Sequence, residues 1–321
     1  MSEIVLNGSS FTEFIILGFS NNEKQKVPVV LLFLLMYLFT VLSNTLIIVL
    51  ISLDSNLHKP MYFFLCNMSF LDIFFTSVTA PTLLHMQLSE HKRISFRACM
   101  TQLYLFNSFG AMEYMMLTAM AYDRYQAICN PLGYLQYMNR NVCCILVALA
   151  WGGGFIAAVP INILISALCY CSSNQINHFF CDITPLLKLA CDDTSAIEFL
   201  IFAEGVLIVL NCFILTVTSY VFIAFAIIRI SSSKGRFKAF STCASHLTVV
   251  ILFYSMIVCL YMKPSSSYSL NDGKILSVFS VHVVPMLNPV IYTLRNTDIK
   301  EAVKKYIILC CLYNLGNYCM L

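Results

Sequence analysis

Seven long stretches with almost no charge divide this chain and leave it few ways to fold. They are Val27–Leu53, Met61–Gln87, Ala98–Ala121, Val142–Ala167, Glu198–Ile228, Ala239–Met262 and Ile275–Leu294. About twenty apolar residues of helix cross the roughly 30 Å hydrocarbon core of a bilayer, because each residue rises about 1.5 Å. Lipid offers backbone groups no partners, so spans of this length must be helical, and the short alternating segments of a membrane barrel are absent. The chain therefore reads as an all-α membrane protein, a seven-transmembrane helix bundle. Composition agrees, with 59% of residues hydrophobic and 11% charged, against about 25% charged in soluble domains. That balance argues against a soluble enzyme, a nucleic-acid binder or a disordered chain. The net charge of +3 is too small to call for a polyanionic partner.

Orientation follows from Lys and Arg near the span ends. With the N-terminus outside, eleven of the nineteen basic residues fall inside, among them Lys59, Arg124, Arg140, Arg229, Lys304 and Lys305. Lys92, Arg93 and Arg97 on the other side make the bias modest, and the acids sharpen it, since only Asp54, Asp123, Asp298 and Glu301 lie inside. Asn7-Gly8-Ser9 is a glycosylation acceptor that must face the lumen to be used. Cys99, Cys171, Cys181 and Cys191 would share the outer, oxidising side, where their number leaves three pairings open. Residues 1–26 lack the basic start and apolar core of a secretory signal, so the first span is expected to serve as its own targeting signal. The expected organisation is an extracellular N-terminus over 1–26, the seven-helix domain over 27–294 and a cytoplasmic tail over 295–321. In that tail Lys300-Glu301-Ala302-Val303-Lys304-Lys305-Tyr306 reads as a short amphipathic helix on the inner surface, in contact with membrane lipid. Cys310 and Cys311 follow as palmitoylation candidates.

Asp72 and Glu113 interrupt apolar helices, which is costly unless they face the bundle interior or water. One reading is a small cation site, Na⁺ with hard oxygen ligands, to which Asn44 and Asn288 could add contacts. The other is a protonated, hydrogen-bonded pair that fixes helix packing, and the residues alone lean slightly toward it. Membrane carboxylates also suit a secondary transporter, but the internal repeats of that class are missing. No HExxH occurs, and His246 and His282 stand alone on separate spans as packing or hydrogen-bond groups.

Several motifs then appear in order. Met120-Ala121-Tyr122-Asp123-Arg124-Tyr125 closes the third span, and its Asp-Arg-Tyr resembles that of rhodopsin-like G-protein-coupled receptors. Pro60-Met61-Tyr62-Phe63-Phe64-Leu65, Lys238-Ala239-Phe240-Ser241-Thr242-Cys243 and Pro285-Met286-Leu287-Asn288-Pro289-Val290-Ile291-Tyr292 narrow the resemblance to vertebrate odorant receptors of the tetrapod type. The loop Asn177-His178-Phe179-Phe180-Cys181-Asp182 is similar too, and the resemblance runs from about Phe11 to Lys305. Gln126, Gly133, Ser43 and Ser255 depart from the usual pattern without removing a charged or cysteine landmark.

The resemblance implies a plasma-membrane receptor, not an enzyme, that needs no cofactor beyond a possible Na⁺ ion. It implies a small neutral odorant as ligand and a heterotrimeric stimulatory G protein as partner, with cyclic AMP as the output. The pocket would lie between spans three, five, six and seven. Helical depth below Cys99 selects Phe106, Asn107, Gly110 and Ala111, then Gly205 and Ile208, then Ile257, Val258 and Tyr261, then Val278 and Val281, with Tyr254 as the floor. This set holds no Lys or Arg, and a buried anion needs a paired cation. Asp123, Arg124 and Tyr125 would couple to the G protein, with Arg124 paired to Asp123 at rest. Tyr220 and Tyr292 would meet when the sixth helix moves, and Asn288-Pro289 would kink the seventh. The resemblance also tips Asp72 and Glu113 toward the cation reading. It ties Cys99 to Cys181, leaving Cys171–Cys191, with Cys169 as the rival for Cys171.

Overall fold

The structure is a computed structural model, and it describes residues 4–6, 9–19, 23–89, 92–171, 173–261, 270–296 and 298–306. In chain order the elements are β1 (Ile4–Leu6), β2 (Ser9–Phe11), β3 (Glu13–Ile16), α1 (Glu23–Leu53), α2 (Pro60–Leu88), β4 (Arg93–Ser95) and α3 (Phe96–Cys129). Then follow α4 (Tyr134–Tyr137), α5 (Arg140–Ala167), β5 (Gln175–Ile176), α6 (Ile183–Leu189), α7 (Ser195–Arg229), α8 (Ser233–Tyr261), α9 (Leu270–Val278, continued through Val284–Arg295) and α10 over 298–306.

Local chemistry sets the ends of these helices. Pro60 opens α2 at its first turn, where a missing N–H costs nothing, and Lys59 before it is extended as a pre-proline residue must be. The Ser95 hydroxyl accepts from Ala98 N at the start of α3, and Asn139 Oδ1 accepts from Val142 N (3.1 Å) at the start of α5. Widened π turns occur within α7 at Gly205–Leu210 and within α9 at Phe279–Val283. Pro289 sits inside the last segment of α9.

Among the described residues six helices are long and apolar enough to cross a membrane: α1, α2, α5, α7, α8 and α9. The expected third span is α3, which at 34 residues would reach about 51 Å. It is more polar than the others because its surroundings are protein rather than lipid. It packs against α2, α5 and α7, and Met112, Glu113, Met116 and Met120 are all fully enclosed. With α3 the bundle has seven helices. Its polarity is inverted relative to a water-soluble protein. Asn44, Asp72, Glu113 and Asn288 are buried, while Leu42 (68% exposed) and Ile156 (74%) face outward. Only an apolar solvent stabilises that arrangement.

α3 and α5 approach each other closely. A Cβ on Gly154 would fall 2.7 Å from the Ser108 carbonyl oxygen, whereas one on Gly152 would meet nothing within 4 Å. Small residues at such a crossing let the backbones approach. The tail helix α10 turns Ile299 and Ala302 into the core and Lys300 and Glu301 outward. It is tied to the bundle by Lys59–Asp298 (2.7 Å) and Lys305–Asp54 (3.2 Å).

Candidate functional site

A small sheet closes the end of the bundle that carries Cys99. β3 pairs antiparallel with β4, Phe14 opposite Ile94, and parallel with β5, Ile16 opposite Ile176. Alternation along β3 turns Phe14 and Ile16 inward, where both are fully buried. The chain then turns at Gly18, whose φ of 69° suits glycine. Gly18 N donates to the His178 carbonyl (3.0 Å), and Lys274 Nζ of α9 donates to the Gly18 carbonyl (2.7 Å). Two disulfides hold the loop after α5. Cys99 is bonded to Cys181 and Cys171 to Cys191, with Cα separations of 5.5 and 5.9 Å, and Cys169 is an exposed free thiol. Gln102 adds a third tie, accepting from Cys181 N (2.9 Å) while donating to the Val78 carbonyl and the Thr82 hydroxyl.

These ties press Phe179 and Phe180 into the bundle mouth as an aromatic plug. Phe180 packs on Phe106 (4.6 Å between centroids), Phe106 stacks on Phe75 (5.1 Å), and Phe179 lies against Phe19 and His282. Burial, and then the charge of Lys274, hold the His178 imidazole down to about 3, so it stays neutral in the closed loop. Of the expected pocket residues, Phe106 and Val278 lie at this plug, and Ala111 and Val281 are buried behind it. Asn107 buries an amide nitrogen without a partner. Gly110, Gly205 and Ile208 are half-buried. The backbone of Ile257, Val258 and Tyr261 continues α8, and their side chains lie outside the described residues, as does Asn7.

Tyr254 sits deeper, between Tyr114 of α3 and Phe213 of α7. It also lines a groove of about 330 Å³ between α7 and α8, whose walls include Thr216, Tyr220 and Leu247. Among the expected pocket residues whose side chains are described, none other than Tyr254 lines that groove.

At mid-bundle, Asn288 Nδ2 donates to both oxygens of Asp72 (3.0 and 3.1 Å), and Asn44 Nδ2 donates to the Pro285 carbonyl (3.3 Å). These bonds clamp α9 to α2 and to α1. Glu113 Oε1, Asn288 Oδ1 and Asn44 Oδ1 are buried without hydrogen-bond partners. Buried oxygens in excess of donors are the donor set of a hard cation, so the residues present fit Na⁺. Among the described residues no group of three or more His, Cys, Asp and Glu forms a transition-metal cluster.

At the opposite end Arg124 is buried. Its Nε donates to Asp123 Oδ2 (2.9 Å), and a second guanidinium nitrogen meets the same oxygen. Tyr134 of α4 donates to Asp123 Oδ1 (2.7 Å). Tyr220 is bonded to His246 Nδ1 (2.7 Å) rather than to Tyr292, whose hydroxyl is buried and unpartnered. Tyr125 packs on Phe222 of α7. Sequence reasoning missed Tyr134, Gln102 and Lys274, and it placed His246 only as a hydrogen-bonding group. The one available signal was Tyr134 lying eleven residues past Asp123, in the loop where Gly133 departs from the usual pattern.

Comparison with known proteins bears directly on this arrangement. The family model for olfactory receptors matches residues 33–310. The chain is 48% identical over 301 residues to olfactory receptor 5AR1 of Mus musculus, covering 94% of this chain and 97% of that one. It is 46% identical over 303 residues to olfactory receptor 8U8 of Homo sapiens, covering 94% and 95%.

Proposed function

The chain belongs to the olfactory receptor family, odorant-sensing G-protein-coupled receptors rather than enzymes, and from that premise we propose how it recognises its ligand and signals. The ligand is a small neutral odorant held in the bundle beneath the Phe179–Phe180 plug. The partner is a heterotrimeric stimulatory G protein, and the output is cyclic AMP. The N-terminus and the small sheet face outside at the plasma membrane, and Arg124 faces the cytoplasm, as the basic residues near its end of the bundle favour.

The observation that carries this reading is the lock at Arg124. Its guanidinium is spent on Asp123, and Tyr134 holds the other Asp123 oxygen. Desolvation strengthens such a charge-assisted pair, so opening this end of the bundle is required to free Arg124 for a protein partner. Ligand binding shifts the two-state bundle toward that open form. Tyr220 then leaves His246 and reaches the unpartnered Tyr292 hydroxyl. The π turn and Pro289 in α9 supply the flexible point, since both interrupt the helical hydrogen-bond ladder. Na⁺ at Asp72, Glu113, Asn288 and Asn44 would supply charge neutralisation and hold the closed form.

The expected pocket walls favour a neutral ligand. They carry one amide and phenols but no cation, and Lys274, buried near the plug, is engaged by the Gly18 carbonyl. The test is a cyclic-AMP assay in cells bearing an olfactory-type stimulatory G protein, against a broad panel of volatiles. Responses should come from neutral compounds. Responses confined to carboxylic acids, or signalling only through an inhibitory G protein, would contradict the reading.

A further inference from the structure

The loop after α5 carries a third thiol beside its own disulfide. Tyr170 and Ala190 form an antiparallel bridge. Counting outward from that bridge puts Cys169 directly opposite Cys191, while Cys171 is only diagonal to it. The backbone agrees, since Cys191 N donates to the Cys169 carbonyl at 3.0 Å. Asp192 fixes the same strand from the other side, accepting from Cys169 N at 2.7 Å. Burial alternates along the strand: Leu168 and Tyr170 are buried, Cys169 and Cys171 exposed. Both cysteines therefore share the solvent face with Cys191, two residues apart.

In the structure Cys191 is bonded to Cys171 and Cys169 is free. Directly opposed, hydrogen-bonded residues on such a ladder have Cα atoms about 5.5 Å apart, within the Cα separations of about 4.4–6.8 Å that a disulfide tolerates. The register therefore offers Cys191 two partners. The rings they would close differ little, twenty residues of separation for Cys171 and two more for Cys169, so loop entropy does not choose between them.

We propose that this loop is a thiol–disulfide exchange site in which Cys191 alternates between Cys171 and Cys169. The proposal rests on the reading that this end of the bundle faces the oxidising outside. The Cys169 thiolate attacks the Cys191 sulfur, and a Cys169–Cys191 bond forms as the Cys171–Cys191 bond breaks. Cys171 leaves as thiolate with the bonding electron pair and takes up the proton Cys169 lost to solvent. One disulfide and one thiol are present before and after, so no oxidant or reductant is consumed. The exchange moves the loop's anchor by two residues on the segment that leads into β5 and the Phe179–Phe180 plug.

Peptide mapping of the full-length receptor from cell membranes tests this. Free thiols are blocked with N-ethylmaleimide, with or without a prior incubation in substoichiometric reduced glutathione, and chymotrypsin cleavage after Tyr170 separates the two candidates. Both Cys171–Cys191 and Cys169–Cys191 peptides are expected, each at a tenth or more of the total after glutathione, with the displaced cysteine alkylated. The Cys171→Ser variant should form Cys169–Cys191 and keep most of its surface level. The Cys169→Ser/Cys171→Ser double variant should lose the bridge. Should Cys171→Ser fail to reach the surface, the wild-type map still decides. Cys171–Cys191 alone after glutathione, with Cys99–Cys181 intact and Cys169 fully alkylated, would overturn the exchange. All four outer cysteines found reduced would overturn both the exchange and the orientation on which it rests.

Discussion

Asp72 and Arg124 show what one charge does inside a bundle. Both oxygens of the Asp72 carboxylate accept from a single amide nitrogen, and the unpartnered oxygens of Glu113, Asn288 and Asn44 leave the region short of donors. If Na⁺ fills that deficit, agonist potency should shift severalfold when sodium is replaced by choline, and Asp72→Asn should remove the shift. Identical potency of the unaltered receptor in both salts would mean that the acids are protonated packing groups. At the other end, Tyr134→Phe deletes the hydroxyl that holds Asp123. A hydrogen bond to a charged group contributes about 1.5–3 kcal/mol, so ligand-free cyclic AMP should rise by about tenfold or more, up to the ceiling of the assay. An unchanged basal level would reduce Tyr134 to a packing contact. The Asp123–Arg124 pair was legible in the sequence because the two residues are adjacent. Tyr134, Gln102 and the Tyr220 partner of His246 were not, because each acts across a gap that only the registration of separate elements closes.

The helices were legible for a different reason. Lipid selects for long apolar runs, so all seven spans announce themselves by their lack of charge, and α3 is the more polar one because it packs against α2, α5 and α7. Gly154 lies where its contact with α5 is tight. Gly154→Val would drive a side chain into the Ser108 carbonyl, and overpacking of this kind costs about 1–3 kcal/mol. Surface expression of Gly154→Val should fall sharply, while Gly152→Ala, built into open space, should match the unaltered receptor. Equal surface staining of the two variants would refute the close approach. The small sheet escaped sequence reading. β3 shows inward alternation over only four residues, and its partners Arg93–Ser95 and Gln175–Ile176 are distant in sequence. The four outer cysteines alone left three pairings open, and family resemblance rather than spacing chose among them.

For the whole molecule, the account joins a plugged mouth, a polar middle and a locked inner end into one two-state bundle. α3 contributes to all three parts, with Phe106 at the plug, Glu113 in the middle and Arg124 at the lock, and ligand and G protein can influence each other only if the parts move together. The pocket was the least legible feature, because helical depth predicts which residues share a level but not which face they present. Tyr254 of α8 lies between α3 and α7, while Phe106 packs on the plug. The central claim is that Arg124, released from Asp123, carries the signal to a stimulatory G protein. The most direct measurement is odorant-evoked cyclic AMP in cells expressing the receptor or its Arg124→Ala variant, matched for surface staining. The account predicts a clear response from the unaltered receptor and none from the variant, and a normal response from well-expressed Arg124→Ala would contradict it.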